Sequence, residues 1–395
     1  MATHAGQERP SNEQDLFAEP LHVTLLRRMR FLRPEDRAIA LRRVALLVCL
    51  TWLPLALLCL LRFAITRNTD AWTFFTDFGA YARFLVAAPV LVLAEYIALP
   101  RLEQIVRHLM ASDIVADEDQ PILKQLVASS RRLSAGIWPS TGLLLLVYVL
   151  TLSLALTVPR GTFPPWHRHD DLHLSAAGLW HLFISLPLVI GLMLSWVWRL
   201  GVWVRFLLVV SHLSLRLIPA HPDKAAGLQF VAHSPLAFLP VAFAFGAVSA
   251  GTMADQVFHK GLSAIDHPGI PIATAIVVAL VLMFPPLVFG RALLHAWHHG
   301  VFTYGELSRR MGRAFEAKWM APGRVVDQST LDLPDFSSTT DLYSVAANAF
   351  NMQPLLFDYK NAVMIVLVTL IPFAPIWLSA VPAKTILDHL VGMLF

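Results

Sequence analysis

From Val44 to Ile65 the chain carries a single charged side chain, Arg62, and six further stretches of the same kind follow it. Crossing about 30 Å of hydrocarbon as a helix takes roughly 20 apolar residues, so each stretch is long enough to span a bilayer. Lipid offers no hydrogen bonds, so a spanning segment must satisfy its own backbone, and the helix does this within one segment. The repetition therefore predicts an all-α, polytopic transmembrane helix bundle. Spans are expected near 44–65, 80–99, 137–158, 176–198, 235–253, 271–290 and 362–381, making one transmembrane domain over 44–395 behind a segment 1–43. With 56% hydrophobic residues against 15% charged, the chain has more apolar surface than a water-soluble interior can hold.

Orientation follows from the basic residues. With segment 1–43 in the cytoplasm, the inside segments 1–43, 101–132, 199–224 and 291–360 hold 24 of the 31 Lys and Arg, which is the pattern of an inner-membrane protein with a cytoplasmic N-terminus. The first span is longer than a signal core and is expected to stay as an anchor. The net charge of +4 is spread by side of the membrane, so no nucleic-acid partner is implied. Residues 200–218 are apolar enough to be weighed as an eighth span. Arg205, His212 and Arg216 share one helical face there, so the segment reads as a helix continuing into the cytoplasm.

Cytoplasmic segments 100–136, 199–234 and 291–361 are expected to hold amphipathic helices. Residues 101–110 extend the second span, and 121–133 form a helix with Asp119 near its start. Tyr304, Leu307, Met311, Phe315 and Trp319 make an apolar stripe in need of a partner, and a short helix covers 341–350. A further helix is expected over 382–395, lying on the membrane. Cys49 and Cys59 sit about 15 Å apart along one helix, beyond disulfide reach. Eight prolines, Pro54, Pro89, Pro187, Pro240, Pro285, Pro286, Pro372 and Pro375, lie within spans. Each frees a carbonyl that neighbours, water or an ion must satisfy.

Intramembrane polar groups are the first candidates for function, because charge is costly at that depth. Glu95 leads, with Arg83 about 18 Å away on the same span, and Arg291 and Asp255 at the ends of others. A second group is the outside loop carrying His167, His169 and His173, with His181 two turns into the next helix. Imidazoles at this density suit zinc, copper or pH sensing, although the spacing fits no tight metal motif. The array His295, His298, His299 resembles one box of the membrane di-iron desaturases and hydroxylases. The other boxes are missing, and this topology puts the two histidine groups on opposite sides of the membrane.

The run Ile218-Pro219-Ala220-His221-Pro222-Asp223-Lys224-Ala225-Ala226-Gly227-Leu228 offers an Asp able to cap a helix, and a His and Lys able to meet an anion or lipid head group. It resembles an uncharacterised family of bacterial multi-pass integral membrane proteins with a His-Pro-Asp-Lys-Ala-Gly-Gly-Leu-like cytoplasmic loop. Ala226 stands here at the first of the two glycines. That resemblance implies a membrane bundle and no activity. Ala242, Gly246, Ala250 and Ala254 form a close-packing face for another helix, in this chain or in a second copy that would make a homo-oligomer.

The best reading of function is a channel or secondary transporter with a polar path near Glu95 and Arg83. A metal-dependent membrane enzyme using the histidines, or a sensor or scaffold docking a partner on the Tyr304–Trp319 stripe, are the alternatives. No nucleophile elbow, phosphate-cradling glycine loop or complete metal motif supports catalysis, and no cofactor is indicated.

Overall fold

Satisfying the backbone inside lipid leaves helices alone as spans, and helices account for the architecture. The computed structural model describes residues 39–67, 69–157, 163–168, 173–261, 263, 267–320, 322 and 334–380. Among them, ten long helices run in order: α1 (Ile39–Thr66), α2 (Phe78–Ala111), α3 (Gln120–Ala135), α4 (Ile137–Thr157), α5 (Ala176–Ser211), α6 (Gln229–His259), α7 (Gly269–Leu287), α8 (Gly290–Trp319), α9 (Asp335–Phe350) and α10 (Tyr359–Ser379). Seven of these, α1, α2, α4, α5, α6, α7 and α10, are long and apolar enough to cross a membrane, each with one of the expected spans inside or nearly inside it. The protein is a multi-pass membrane protein, and rows such as Leu144, Leu145, Leu152 and Leu156 on α4 face lipid.

Successive connections lie on opposite faces of the bundle. One face, named here for Asp77, carries the 3-10 turn Thr69–Thr76 and the turn Pro165–His167. The other, named for Glu95, carries α3, the loop 212–228, α8 and α9. Residues 200–211 form no eighth span: α5 runs unbroken to Ser211, and its far end packs on α3. Asp119 does not cap α3. Its carboxylate accepts from Ser214 N at 2.7 Å, and Arg216 pairs with Asp117 at 2.8 Å, so the loop after α5 is tied to the loop after α2.

For Pro54, Pro187 and Pro240, side chains supply the missing donors. Pro54 frees the Leu50 carbonyl, which accepts from Trp180 Nε1 at 3.1 Å. Pro187 frees Phe183, which accepts from the Tyr148 hydroxyl at 3.3 Å, and Pro240 frees Leu236, which accepts from Arg101 Nη1 at 3.3 Å. Helix α1 breaks at Trp52 just before Pro54. Helices α2 and α5 instead contain single π-helical stretches, Ala82–Ala87 and His181–Ser185, two residues ahead of Pro89 and Pro187.

The core centres on α2, α5 and α6. Leu91, Ala94 and Leu102 pack with Trp196, Trp203, Phe206, Phe238 and Ala242, and Trp196 Nε1 donates to the Leu91 carbonyl at 3.0 Å. The small face of α6 is consumed here rather than offered to a second copy. Ala242 and Ala250 are buried, and Gly246 lies against the Thr369 carbonyl of α10, where a methyl group would overlap that oxygen. Those three residues are covered by the chain's own last span. Gly246→Ala is therefore expected to lower stability by about 1–3 kcal/mol through overpacking. Gly142→Ala on α4, where a methyl meets nothing within 4 Å, should leave it equal or higher. Thermal unfolding of the two purified variants in one detergent makes the comparison.

The apolar stripe of α8 also finds its partner within the chain. Phe336 of α9 packs edge-on to Phe315 at 5.0 Å and against Trp319 at 4.8 Å, Tyr343 abuts Gly312, and Lys318 pairs with Asp335. Helix α9 begins six residues earlier than the sequence implies, at Asp335. The expected helix over 382–395 lies outside the described residues. Cys49 and Cys59 are both free thiols.

Candidate functional site

Two polar assemblies stand on α2, one at its start around Asp77 and one at its middle around Glu95. At the Glu95 face, the Glu95 carboxylate is clasped by two arginines from different spans. Oε2 lies 2.6 Å from Arg43 Nη2 of α1, and Oε1 lies 2.6 Å from Arg199 Nη2 of α5. All three residues are 6–7% exposed. Arg43 Nη1 also donates to the Tyr96 hydroxyl at 3.1 Å, while Arg199 sits over the Trp196 ring at 4.8 Å. The sequence assigned Arg43 to the cytoplasmic segment 1–43 and Arg199 to the cytoplasmic segment 199–234. Both are instead drawn inside, because a buried carboxylate needs charge-assisted donors and these arginines stand at its depth on neighbouring helices.

At the Asp77 face the second assembly forms around the start of α2. Asp77 caps its own helix, Oδ1 accepting from Ala80 N at 2.7 Å, while Oδ2 accepts from Trp166 Nε1 at 2.9 Å. Asp255 reaches across from α6 and takes the next two donors, Phe78 N at 2.8 Å and Gly79 N at 2.9 Å. Position 79 has to be glycine for this, since a Cβ would overlap the Asp255 carboxylate. Arg83 Nη2 stands 3.9 Å from Asp77 Oδ1. His167 and His181 are hydrogen-bonded through Nε2 and Nδ1 at 2.8 Å, with the backbone at His167 pressed against Gly178. Burial pushes His167 down to about 4; nearby Asp77 opposes this, while Arg83 and Arg168 add to it. Ser175 caps α5, accepting from Gly178 N at 3.0 Å.

The structure does not gather the remaining candidates into one site. Glu95 and Arg83 are separated by the buried apolar side chains Phe84, Ala87, Ala88, Leu91, Val92 and Ala94, so no polar side chain of α2 links them. Arg291 is exposed at the start of α8. His295, His298 and His299 are all exposed on α8, His173 is exposed, and His169 lies outside the described residues. Among the described residues no group of three His, Cys, Asp or Glu is placed to hold a metal ion.

The Asp223 loop is organised from within. Its carboxylate accepts from Ala225 N at 2.9 Å and from Gly227 N and Gln229 N at 3.1 Å, and His221 Nδ1 lies 2.8 Å away. Burial opposes ionisation here, but these donors outweigh it and hold Asp223 below the usual carboxylate range. The wrap requires left-handed backbone at Lys224 (φ 60), Ala226 (φ 55) and Gly227 (φ 96). Of the three anion candidates, Asp223 is spent on the loop, His221 is paired with it, and Lys224 is exposed. The Lys224 carbonyl accepts from Gln353 N at 2.8 Å, tying the loop to the α9–α10 connection.

The partners that sequence reasoning missed, Arg43, Arg199, Asp77 and Trp166, share one readable signal. Each lies at the same end of its span or connection as the group it binds, so matching spans by depth would have found them. No protein-family model, curated protein or solved structure matches this chain.

Proposed function

We propose that the chain is a secondary transporter of the cell membrane, with the Glu95 face in the cytoplasm and the Arg43–Glu95–Arg199 cluster acting as its inner gate. The carrying observation is that cluster: one carboxylate holds three spans through two 2.6 Å contacts. Buried ion pairs add little stability over apolar packing, because desolvation offsets their attraction; their best-attested use is as a register or switch. The apolar layer on α2 between Arg83 and Glu95 argues against a continuously open channel and for alternating exposure of the two ends. The orientation rests on the Lys and Arg distribution. The scaffold alternative keeps part of its motive, since α9 covers the Phe315 and Trp319 end of the stripe on α8 while Leu307 stays exposed.

Arg43→Lys tests the reading, because lysine keeps the charge and gives up the fork geometry. Proteoliposomes are assayed for movement of H+, Na+, K+ and Cl− under imposed gradients. Wild-type protein is expected to carry at least one of them, with Arg43→Lys changing the rate about tenfold or more, the size of one charge-assisted hydrogen bond. No flux of any of the four, or the same flux in the variant, removes the gate.

A further inference from the structure

Helix α8 begins before the chain has room to leave the membrane. Helix α7 has 19 residues and so a length of about 28 Å, which only just covers the hydrocarbon. Val288 and Phe289 alone separate it from α8. Residues 290–298 therefore lie within about 12 Å of the hydrocarbon edge, in and beside the head-group layer of the Glu95 face, at any tilt of α8. Side chains on a helix lean toward its N-terminus, which here means back toward the lipid.

One side of these turns is spent on the bundle. Leu293 and Ala296 are buried, and Gly300 presses so closely on Pro219 that a methyl group would overlap the proline ring. The other side is open. Arg291, His295 and His298 are all exposed and fall within about 60° of one another around the helix axis. Leu294, 44% exposed, borders them, and the Trp297 ring lies 4.9 Å from that of His298, an aromatic residue typical of this layer. At this depth a face turned away from the bundle is turned toward lipid. Its charge is unopposed: residues 290–305 contain no Asp or Glu, and Glu306, the first acid on α8, is held by Arg309 and Arg310 at 2.6–2.8 Å. Among the described residues no carboxylate pairs with Arg291. A guanidinium and two imidazoles, each with an N–H to donate, match a group that carries negative charge on several oxygens.

We propose that Arg291, His295 and His298 bind the phosphate of an anionic phospholipid in the leaflet beside the Glu95 face, with Leu294 against its acyl chain. A soluble anion forgoes that apolar contact, and a zwitterionic lipid brings a cation that offsets its phosphate. The site depends neither on transport nor on which side of the membrane the Glu95 face takes, so an absence of flux leaves it standing.

The test uses delipidated full-length protein in detergent, titrated with phosphatidylglycerol or with phosphatidylcholine of the same acyl chains, and bound lipid is counted by native mass spectrometry. Wild type is expected to bind phosphatidylglycerol saturably and more tightly than phosphatidylcholine. Arg291→Gln should weaken phosphatidylglycerol about fivefold, the share of one basic residue at an anionic surface, and leave phosphatidylcholine unchanged. Adding His295→Ala and His298→Ala should bring the two lipids level; if the unfolding midpoint without lipid shows that this triple variant is misfolded, Arg291→Gln alone decides. Arg313→Gln, an exposed position about 33 Å further along α8, should bind as wild type does. Inorganic phosphate in large excess should not displace the lipid. Equal binding of the two lipids by wild type, an unchanged preference in Arg291→Gln, the same loss in Arg313→Gln, or displacement by phosphate overturns the site.

Discussion

Glu95→Gln is expected to destabilise the bundle by about 3–5 kcal/mol, the cost of stranding buried charge when one partner of a buried pair is removed. Glutamine preserves volume and one carbonyl acceptor but leaves the Arg43 and Arg199 guanidiniums facing each other across a neutral group. Both are 6–7% exposed, so water cannot screen them. The measurement is the denaturation midpoint in detergent, with the monodisperse fraction on gel filtration as a second readout. Removing the whole cluster by Glu95→Leu, Arg43→Met and Arg199→Met should recover most of the loss, because apolar replacement of a buried triad is often neutral or stabilising. The gate reading adds a separate demand: the stable triple variant should lose controlled flux. Wild-type stability in Glu95→Gln would mean that the carboxylate holds nothing together.

The spans were legible because lipid enforces a rule that composition cannot hide: charge is expelled and the backbone must pair with itself. Residues 200–211 show the rule working in a borderline case, since the face shared by Arg205 and His212 identified a helix leaving the membrane. The proline carbonyls were legible for the same reason. What the sequence could not name was which side chain would answer each one, as Trp180 answers Leu50 and Tyr148 answers Phe183. That choice depends on which spans neighbour each other, and helical periodicity carries no such information.

The candidate site was half legible. Glu95 and Asp255 stood out because their charge is expensive where they sit. Arg43 and Arg199 did not, because arginine at the end of a span is what the positive-inside pattern provides everywhere. The small face of α6 was correctly read as a packing surface but offered too freely to a second copy. Its occupant, the Thr369 turn of α10, lies more than a hundred residues away in sequence. The same limit explains the α8 stripe, whose partner Phe336 sits beyond a stretch without helical periodicity.

The wild-type protein is expected to lose about 3 kcal/mol of stability on acidification from pH 6.5 to 4 through His167 alone. Burial lowers this imidazole from its ordinary 6.5 to about 4, and each unit of difference between folded and unfolded states is worth about 1.4 kcal/mol. Between those values the unfolded chain binds a proton that the folded chain refuses, so stability is complete above pH 6.5 and falls as pH drops. Below 4 the folded form takes the proton as well and the loss levels off. His167→Gln keeps a polar group opposite His181 and cannot titrate. It should start less stable at pH 7.5, through the altered hydrogen bond and stacking on Phe163, yet lose less on acidification. The quantity to measure is the difference between wild-type and variant unfolding free energies at a series of pH values, in which titrating groups remote from the His167–His181 pair cancel. That difference should shrink steadily from pH 6.5 to 4; a constant difference across the window would mean that the folded protein admits the proton as readily as the unfolded chain does.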